Sequence, residues 1–410
     1  MDSDRDKSIK LYSDHVYPGK VAFYEKYDIV LVPEKRGGCQ ISDTNGKTFY
    51  NCHSNGGVFN LGHRNKDVIK AVTLAMQTYD IGNHHLISKP KALLGKMIAD
   101  TMPEGLNQVV YGVSGGEAID LAIKLARGVT GKQEIISVKG GYHGHTGFAL
   151  ATGDKKFKEK FKPVPAGFKQ VRFNRLEELE KAVCSNTAGV ILETIPATLG
   201  VVAPDVGYLK SVKEICEKNS CLLILDEVQT GFGRTGKFWG FENYDVKPDM
   251  VVMGKGMSGG IYPISATVYD EKYKDFFKED PFVHISTFGG SEIGCFAAMK
   301  VIEISKEKKF LDHVLSLGDF FWQRLEALGK KYPNLGLKLK GRGMMMGLEF
   351  KDEITALFLI KILFDNGIYV VYAGNDQRVI QFLPVLNILK TEAEDILNII
   401  EISFKTMSQG

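Results

Sequence analysis

The sequence has 410 residues, of which 44% are hydrophobic and 25% are charged, and its formal net charge is +3. This composition is that of an ordinary globular protein, and the length suffices for two domains, since single cores seldom grow beyond about 250 to 300 residues. Lysines and acidic residues are interleaved along the chain, which is typical of solvated helix faces. The charge pattern therefore predicts no binding of nucleic acid.

The N-terminal segment and the cysteines indicate the compartment. Residues 1–15 are polar and lack an apolar core segment, and no window of the sequence approaches about 18 uninterrupted apolar residues. The six cysteines show neither a Cys-x-x-Cys pair nor a spacing typical of metal ligands. We therefore expect a cytoplasmic protein with reduced thiols, no membrane span and no metal site.

Short alternating segments are expected in residues 1–50, above all in the stretch 27–51. Turn signals at Arg36-Gly37-Gly38 and Asn45-Gly46 divide this stretch, and Asn-Gly favours the tight turn of a hairpin. The pattern predicts a small antiparallel meander. Further on, Asn55-Gly56-Gly57 forms a glycine-containing loop in which the backbone could approach a ligand closely, although a plain loop explains it almost as well.

A strand, a glycine turn and a helix follow one another between Val109 and Arg127. The turn is Ser114-Gly115-Gly116, and the apolar residues after it recur with helical spacing. The free N–H groups and the positive dipole end at the start of a helix suit a phosphate group. The turn lacks the Gly-x-Gly-x-x-Gly spacing of dinucleotide-binding enzymes. A single join of this kind is weak evidence, so Gly115 and Gly116 are candidates at this point.

Two apolar runs end in groups of opposite charge. Residues 222–225 lead to Asp226, and residues 250–253 lead to Gly254 and Lys255. Both runs predict buried strands with a charge at the exit. Ligands of open parallel sheets bind beyond the carboxyl ends of the strands, so a carboxylate and an amine placed there indicate a site. A structural ion pair is the alternative interpretation.

The run that starts at Asp226 reads Asp-Glu-Val-Gln-Thr-Gly-Phe-Gly-Arg-Thr-Gly, and Gly254-Lys255-Gly256 and Ser258-Gly259-Gly260 follow it. These motifs resemble those of the class III pyridoxal-phosphate enzymes, also called the ω-aminotransferase family. The resemblance implies that Lys255 carries pyridoxal 5'-phosphate as a Schiff base and that Asp226 faces the pyridine nitrogen. It also implies that Gln229 hydrogen-bonds the ring hydroxyl of the cofactor.

Further segments resemble the same family. Gly115 and Gly116 match its phosphate cup, but the family more often has serine or threonine at Gly116, so main-chain donors are expected to hold the phosphate there. Tyr142 is implied to stack on the cofactor ring, and His143 is an auxiliary candidate. Thr287, in a Ser-Thr-Phe-Gly-Gly segment, is implied to reach the cofactor phosphate of the partner subunit. Such a site requires a two-fold homodimer with shared active sites.

The resemblance also implies the fold. We expect an α/β protein of the pyridoxal-phosphate-dependent transferase fold type I, with a large domain whose mostly parallel seven-stranded sheet is flanked by helices. A smaller α+β domain is built from both termini. In these terms residues 1–55 are the N-terminal part of the small domain, residues 56–300 are the large cofactor-binding domain, and residues 301–410 are the C-terminal part of the small domain.

Two positions depart from the family pattern. Members that use 2-oxoglutarate commonly bind its α-carboxylate with an arginine, which a second glutamate holds off when an ω-amine occupies the pocket. Gln381 and Thr198 stand at these two places. Arg378 is nearby, but three residues along a strand put it on the opposite face from Gln381. The departure leaves the cofactor assignment untouched and leaves the substrates open.

The sequence favours a pyridoxal-phosphate-dependent class III transaminase. It would move an amino group from an amine or amino acid, of the ω-amino type, to a keto acid or aldehyde, so its partners are small amines and carbonyl compounds. Asp226 would favour the protonated ring nitrogen, and Lys255 would move the labile proton of the substrate.

The alternative is an aminomutase, racemase or lyase of the same family, because the run from Tyr142 to His145 also resembles the aminomutase branch. A silent binding protein is disfavoured by the presence of both Lys255 and Asp226. The donor, the acceptor and any assembly beyond the dimer stay open.

Overall fold

The computed structural model describes residues 3–409 of the chain. The strands within these residues are β1 Pro33–Gly37, β2 Gln40–Asp43, β3 Thr48–Asn51, β4 Leu106–Gly112, β5 Glu134–Val138, β6 Phe168–Val171, β7 Thr187–Glu193, β8 Leu222–Asp226, β9 Met250–Met253, β10 Ser265–Asp270, β11 Lys338–Arg342, β12 Met345–Glu349, β13 Ile368–Tyr369, β14 Val371–Ala373 and β15 Asp376–Phe382.

The helical segments are α1 Asp4–His15, α2 Pro18–Lys26, α3 Ser54–Gly57, α4 Lys66–Ala75, α5 Lys89–Ala99, α6 Gly115–Thr130, α7 Gly147–Thr152, α8 Lys155–Lys158, α9 Leu176–Ala182, α10 Tyr208–Lys218, α11 Phe276–Glu279, α12 Glu292–Ser305, α13 Lys308–Lys331, α14 Glu353–Asp365 and α15 Lys390–Gln409. None of these helices is both long and apolar enough to cross a membrane. The cytoplasmic location stays a prediction.

The central sheet has the strand order β4-β10-β9-β8-β7-β5-β6. Strands β9, β8, β7, β5 and β6 run parallel to one another, and β10 runs antiparallel to both of its neighbours. Strands β5, β7, β8 and β9 are buried along their whole length, as their apolar sequences require. The predicted α/β fold with a mostly parallel seven-stranded sheet is confirmed.

Helices cover both faces of this sheet, and strand β8 shows how. Its side chains alternate, so that Leu223 and Leu225 belong to one core with residues of α10, whereas Leu222 and Ile224 belong to another with residues of α6. Both faces of the strand are therefore closed by packing. Because packing closes both faces, a ligand can bind at the carboxyl ends of the strands.

Two further sheets come from the ends of the chain. Strands β1, β2 and β3 form the predicted antiparallel meander, with Gly46 at φ 86° in the hairpin, and β13 pairs with β3 in parallel. Strands β11, β12, β15 and β14 form an antiparallel sheet, and Phe382 of β15 shares its core with residues of α13, α14 and α15. Strands from both ends thus share one sheet. The domain division at residues 55/56 and 300/301 stays a prediction.

The segment before β1 differs from the prediction of short alternating elements. Helices α1 and α2 occupy it up to Lys26, and neither has a buried residue. Ser3 starts α1 through a capping box, in which its hydroxyl accepts from Asp6 N–H and the Asp6 carboxylate accepts from Ser3 N–H. Without an apolar face, these helices lack the periodicity by which a helix is recognised in a sequence.

Candidate functional site

The candidate site lies at the carboxyl ends of three adjacent parallel strands. Strand β7 ends in Glu193 and strand β8 ends in Asp226, and the two residues are partners in the register of the sheet. Lys255 follows the end of β9 by two residues. Glu193 and Asp226 are both buried, at 7% and 5% exposure. The fold thus brings two carboxyl groups and one amine to the same edge of the sheet.

A cavity of about 160 Å³ opens at this edge. Its lining contains the predicted site residues Gly115, Gly116, Tyr142, Asp226, Gln229 and Lys255, together with His143, Gly144, Glu193, Ile195, Val228 and Thr230. Thr287 does not belong to this lining and is exposed. The structure therefore brings together every predicted site residue except Thr287. The roles of these residues stay predictions.

Asp226 is fixed by hydrogen bonds to both of its oxygens. Its Oδ2 lies 2.7 Å from His143 Nδ1, and its Oδ1 accepts a bond of 2.9 Å from Val228 N–H. Burial alone would lower the pKa of His143, but the bond to Asp226 and the charge of that carboxylate outweigh burial and raise it. The His143 ring therefore holds its proton to a higher pH than a free imidazole does. His143 was only an auxiliary candidate in the sequence, because nothing local shows which partner its ring meets.

Lys255 has a strained backbone. Its φ of 42° lies in the left-handed region, which residues with a side chain rarely adopt and which recurs at functional sites. Its Nζ donates to Gln229 Oε1 over 3.4 Å. Burial lowers the pKa of Lys255, and the charges of Asp226 and Glu193 partly oppose this effect. A larger fraction of the Lys255 amine is therefore neutral, and the neutral form is the one that acts as a nucleophile or a base.

Glu193 is a titratable group of the cavity that the predicted site did not include. Its Oε1 accepts a bond of 2.8 Å from Tyr142 N–H, so it holds the turn that presents the tyrosine ring. Burial raises the pKa of Glu193 to about 7, and the nearby Asp226 adds to the increase. A signal was present in the sequence, since the apolar residues 190–192 lead to Glu193 as residues 222–225 lead to Asp226.

Gly115, Gly116 and Gly144 form a cradle of closely approaching backbone. Gly115 and Gly116 begin α6, and the first N–H groups of a helix have no partner within it. A Cβ on Gly144, whose φ is 123°, would come within 2.9 Å of Gly116 Cα, and a Cβ on Gly116 would come within 2.8 Å of Thr146 Oγ1. Glycine is therefore needed at Gly144, where the contact is with backbone, for an approach that leaves the helix N-terminus open to an anion.

A left-handed turn, α3, approaches the amine from another direction. All four of its residues, Ser54–Gly57, have positive φ, from 49° to 94°. A Cβ on Gly56 would lie 3.2 Å from Gln229 Nε2 and 3.5 Å from Lys255 Nζ. The sequence indicated only a glycine-containing loop in this segment. Sequence propensities do not predict four consecutive left-handed residues, because this conformation is sterically unfavourable for Ser54 and Asn55.

His53 precedes this turn and was missed in the sequence. Burial lowers its pKa to about 4, and the charge of Lys255 lowers it further, whereas the amide of Gln381 has the opposite effect. His53 is therefore neutral beside Lys255. Its Nδ1 is enclosed and has no hydrogen-bond partner among the described residues.

The two residues that depart from the family pattern, Gln381 and Thr198, place no charged side chain in the cavity. Gln381 is buried in β15, between Gly347 of β12 and Val371 of β14. Arg378 is exposed, and its guanidinium donates bonds of 2.9 and 2.8 Å to the carboxylate of Asp376. Thr198 Oγ1 donates a bond of 2.9 Å to Gly140 O and is not part of the lining.

The donor set of the cavity fits pyridoxal phosphate. Asp226 offers a buried carboxylate for the ring nitrogen, and Lys255 offers an amine for the aldehyde. Tyr142 offers an aromatic face, and the glycines at the start of α6 offer main-chain donors for the phosphate. These residues come from four different strand ends, so the fit depends on the sheet order and not on one motif.

Comparisons with known proteins point to the same family. Residues 23–404 match the family model described as Aminotransferase class-III. An uncharacterized aminotransferase from Archaeoglobus fulgidus is 47% identical over 388 residues, which cover 95% of this chain and 91% of that protein.

Solved structures of aminotransferases are similar to this chain over nearly its whole length. The ornithine aminotransferase from Toxoplasma gondii is similar with a TM-score of 0.87 and 27% identity, covering 100% of this chain and 99% of that chain. A transaminase from the marine bacterium Virgibacillus gives a TM-score of 0.90 at 25% identity, covering 98% and 99%. The acetylornithine aminotransferase from Elizabethkingia anophelis gives 0.79 at 27% identity, covering 96% and 99%.

Proposed function

The chain belongs to the class III aminotransferases, and we propose that its amino donor is an ω-amine that reacts at Lys255. It is a transaminase whose cofactor is pyridoxal 5'-phosphate. The observation that carries the proposal is the enclosed amine of Lys255 at the strand edge that also presents Asp226. The ornithine and acetylornithine aminotransferases among the similar structures support an ω-amino donor.

Pyridoxal phosphate, when bound, supplies an aldehyde that condenses with amines and a ring that withdraws electrons from the reacting carbon. We assign its phosphate to the N–H groups of Gly115 and Gly116, its ring face to Tyr142 and its ring hydroxyl to Gln229. Each assignment uses a group that lines the cavity.

The proton chemistry is assigned to two residues. Asp226, held by His143, would favour a proton on the nitrogen of the cofactor ring, because a buried carboxylate favours a positive partner. Lys255 Nζ would anchor the cofactor and, once free, would take a proton from the substrate carbon and pass it to the cofactor. The lowered pKa of Lys255 supports the second role, since the neutral amine is the base.

We assign Thr287 to the cofactor site of a partner subunit, and hence a homodimer with shared active sites. Thr287 is exposed and lies outside the cavity of its own subunit. Its segment also exposes large apolar side chains, since Phe282, Val283, Ile285 and Phe288 are each at least half exposed. An apolar surface of this kind is typical of an interface between subunits.

Borohydride trapping tests the central assignment. The purified protein should carry a reducible cofactor adduct on Lys255, identified by peptide mass spectrometry, and Lys255→Ala should carry none. Lys237→Ala is the matched control, since Lys237 is an exposed lysine of a neighbouring loop. An adduct that persists in Lys255→Ala would refute the role of Lys255.

A second measurement tests the reaction. An ω-amine such as 5-aminopentanoate, added without a carbonyl acceptor, should convert the bound cofactor to its amine form once and then stop. Continued product formation without an acceptor would contradict transamination and would favour isomerisation or elimination.

A further inference from the structure

We propose that this protein has a second ligand site, apart from the cofactor cavity, which binds a carboxylate that carries an apolar chain. The site is an open cavity of about 700 Å³ between strand β1, the segment 59–69 and the turn at residues 260–261. Among the described residues, none that lines this cavity also lines the cavity at Lys255. A volume of this size is typical of pockets for small organic ligands.

Main-chain pairing brings two positively charged segments together at this cavity. Gly38 N–H donates a 3.1 Å bond to His63 O, and His63 N–H donates a 2.7 Å bond to Gly38 O. Lys35 and Arg36 of β1 therefore line the same cavity as Arg64. All three cations are exposed, and none of them has an ion-pair partner within residues 3–409. The rim of the cavity is thus positively charged.

The charge balance and the backbone of this rim favour an anionic ligand. In the described part of the chain, Glu34 is the one acidic residue of the lining, against three cations. A guanidinium group binds a carboxylate through two parallel hydrogen bonds. Arg64 has a φ of 54°, in the left-handed region. Backbone strain of this kind persists where the surrounding structure requires it, and it clusters at ligand sites.

His63 adds a neutral donor to the same cavity. Asn51 Oδ1 accepts bonds of 3.2 and 2.9 Å from the N–H groups of His53 and Ser54, so its Nδ2 is the atom that donates to His63 Nε2 over 2.9 Å. The ring proton of His63 therefore lies on Nδ1. Burial lowers the pKa of His63 to about 4, and the charge of Arg36 lowers it further, so the ring is neutral. His63 is only 5% exposed and lines the cavity, and within residues 3–409 its ring is hydrogen-bonded through Nε2 alone.

The floor of the cavity is apolar. The ring of Phe59 packs against the ring of His63, with a centroid distance of 4.0 Å, and against the backbone of Gly260, where a Cβ would come within 2.6 Å of it. Ile69 and Ile261 line the same cavity and are half-buried. An apolar floor gains free energy by covering a hydrocarbon chain, whereas an inorganic ion leaves it in water. The charged rim and this floor together fit a carboxylate with an apolar chain.

Calorimetric titration of the holoenzyme with octanoate tests the proposal. We expect one octanoate per chain, and at least about tenfold weaker binding of butanoate, because the shorter chain buries less hydrocarbon. Octanamide has the same chain without the charge, so it should also bind at least about tenfold more weakly. The absorbance of the bound cofactor should not change, since the two cavities share no lining residue among those described.

Variants locate the site. Arg36→Gln and Arg64→Gln should each weaken octanoate binding about tenfold, because each removes a charge-assisted partner at an exposed position. Ile69→Gln should weaken the binding of octanoate more than that of butanoate, since only the longer chain covers the apolar floor. Arg175→Gln is the matched control, because Arg175 is exposed and does not line this cavity. Circular dichroism checks that each variant is folded.

Three results would overturn the proposal. The first is a wild type that shows no saturable binding of octanoate, or that binds butanoate, octanamide or inorganic phosphate as tightly. The second is a pair of folded variants, Arg36→Gln and Arg64→Gln, that both bind octanoate as the wild type does. The third is a cofactor absorbance that changes in proportion to the octanoate bound, which would place the ligand in the cofactor cavity. None of these results depends on the adduct at Lys255, so the proposed function is tested separately.

Discussion

His143 Nδ1 lies 2.7 Å from Asp226 Oδ2 in a site where both side chains are buried. The carboxylate assigned to the cofactor nitrogen is therefore itself held by a titratable ring. The contact raises the pKa of His143, and a ring that bears its proton on Nδ1 donates to the Asp226 carboxylate and orients it. His143 is thus a positioning residue, and Asp226 is the group that would touch the cofactor.

Replacing His143 by glutamine should lower the rate of the amine half-reaction about tenfold, which corresponds to the loss of roughly 1.4 kcal/mol of stabilisation of the protonated ring. Stopped-flow absorbance of the holoenzyme with an ω-amine measures this rate. The pH titration of the cofactor spectrum should also shift, which a purely structural defect would not cause. His145→Gln, an exposed histidine two residues away, should behave as the wild type. An unshifted titration in His143→Gln would argue against the positioning role.

The glycine cradle predicts an order of effects on cofactor affinity. Gly144→Ala should raise the dissociation constant of pyridoxal phosphate at least about tenfold, because its Cβ would meet the backbone of Gly116 at 2.9 Å and its φ is 123°. Gly116→Ala should cost much less, since its Cβ meets only the exposed Thr146 side chain, which can rotate. Equilibrium dialysis of the apoprotein with the cofactor checks both. Equal losses in the two variants would contradict the assigned geometry.

The motif that identified the family illustrates what a sequence can and cannot predict. The apolar runs before Asp226 and Lys255 predicted strands, and the structure has them at those positions. Arg234, in the same motif, has partners more than a hundred residues away at Met344 and Pro384. No local periodicity encodes such contacts. His53 was missed for the same reason, because burial and the charge of Lys255 lower its pKa only in the folded chain.

Arg234 should be a large contributor to stability. It donates to Met344 O, Pro384 O and Asn60 Oδ1 from a fully buried position. Arg234→Met should lower the free energy of unfolding by about 3 kcal/mol or more, because buried oxygens lose a charged donor. Urea denaturation monitored by circular dichroism measures this change. Lys237→Met, an exposed cation three residues later, should change stability by less than about 0.5 kcal/mol. A comparable loss in both variants would refute the explanation.

Glu227 follows Asp226 in the chain but has no part in the cavity. It is completely buried, and its carboxylate accepts 2.7 and 2.9 Å bonds from Gly240 N–H and Phe241 N–H. Burial raises its pKa from 4.5 to about 7, and the bonds from Thr194 and these N–H groups limit the increase. Because the folded pKa lies above the unfolded one, the folded state binds the proton more tightly between these two values.

The stabilisation associated with the Glu227 proton should therefore be complete below about pH 4.5 and lost as the pH rises through 7. Glu193, with a pKa of about 7, acts in the same direction. Between pH 5 and pH 8 the free energy of unfolding should decrease by about 1 to 3 kcal/mol less in Glu227→Gln than in the wild type, because the variant lacks this titrating carboxyl. Urea denaturation of the holoenzyme at several pH values in this range measures it. Glu214→Gln, an exposed control, should reproduce the wild-type slope, and an unchanged slope in Glu227→Gln would contradict the prediction.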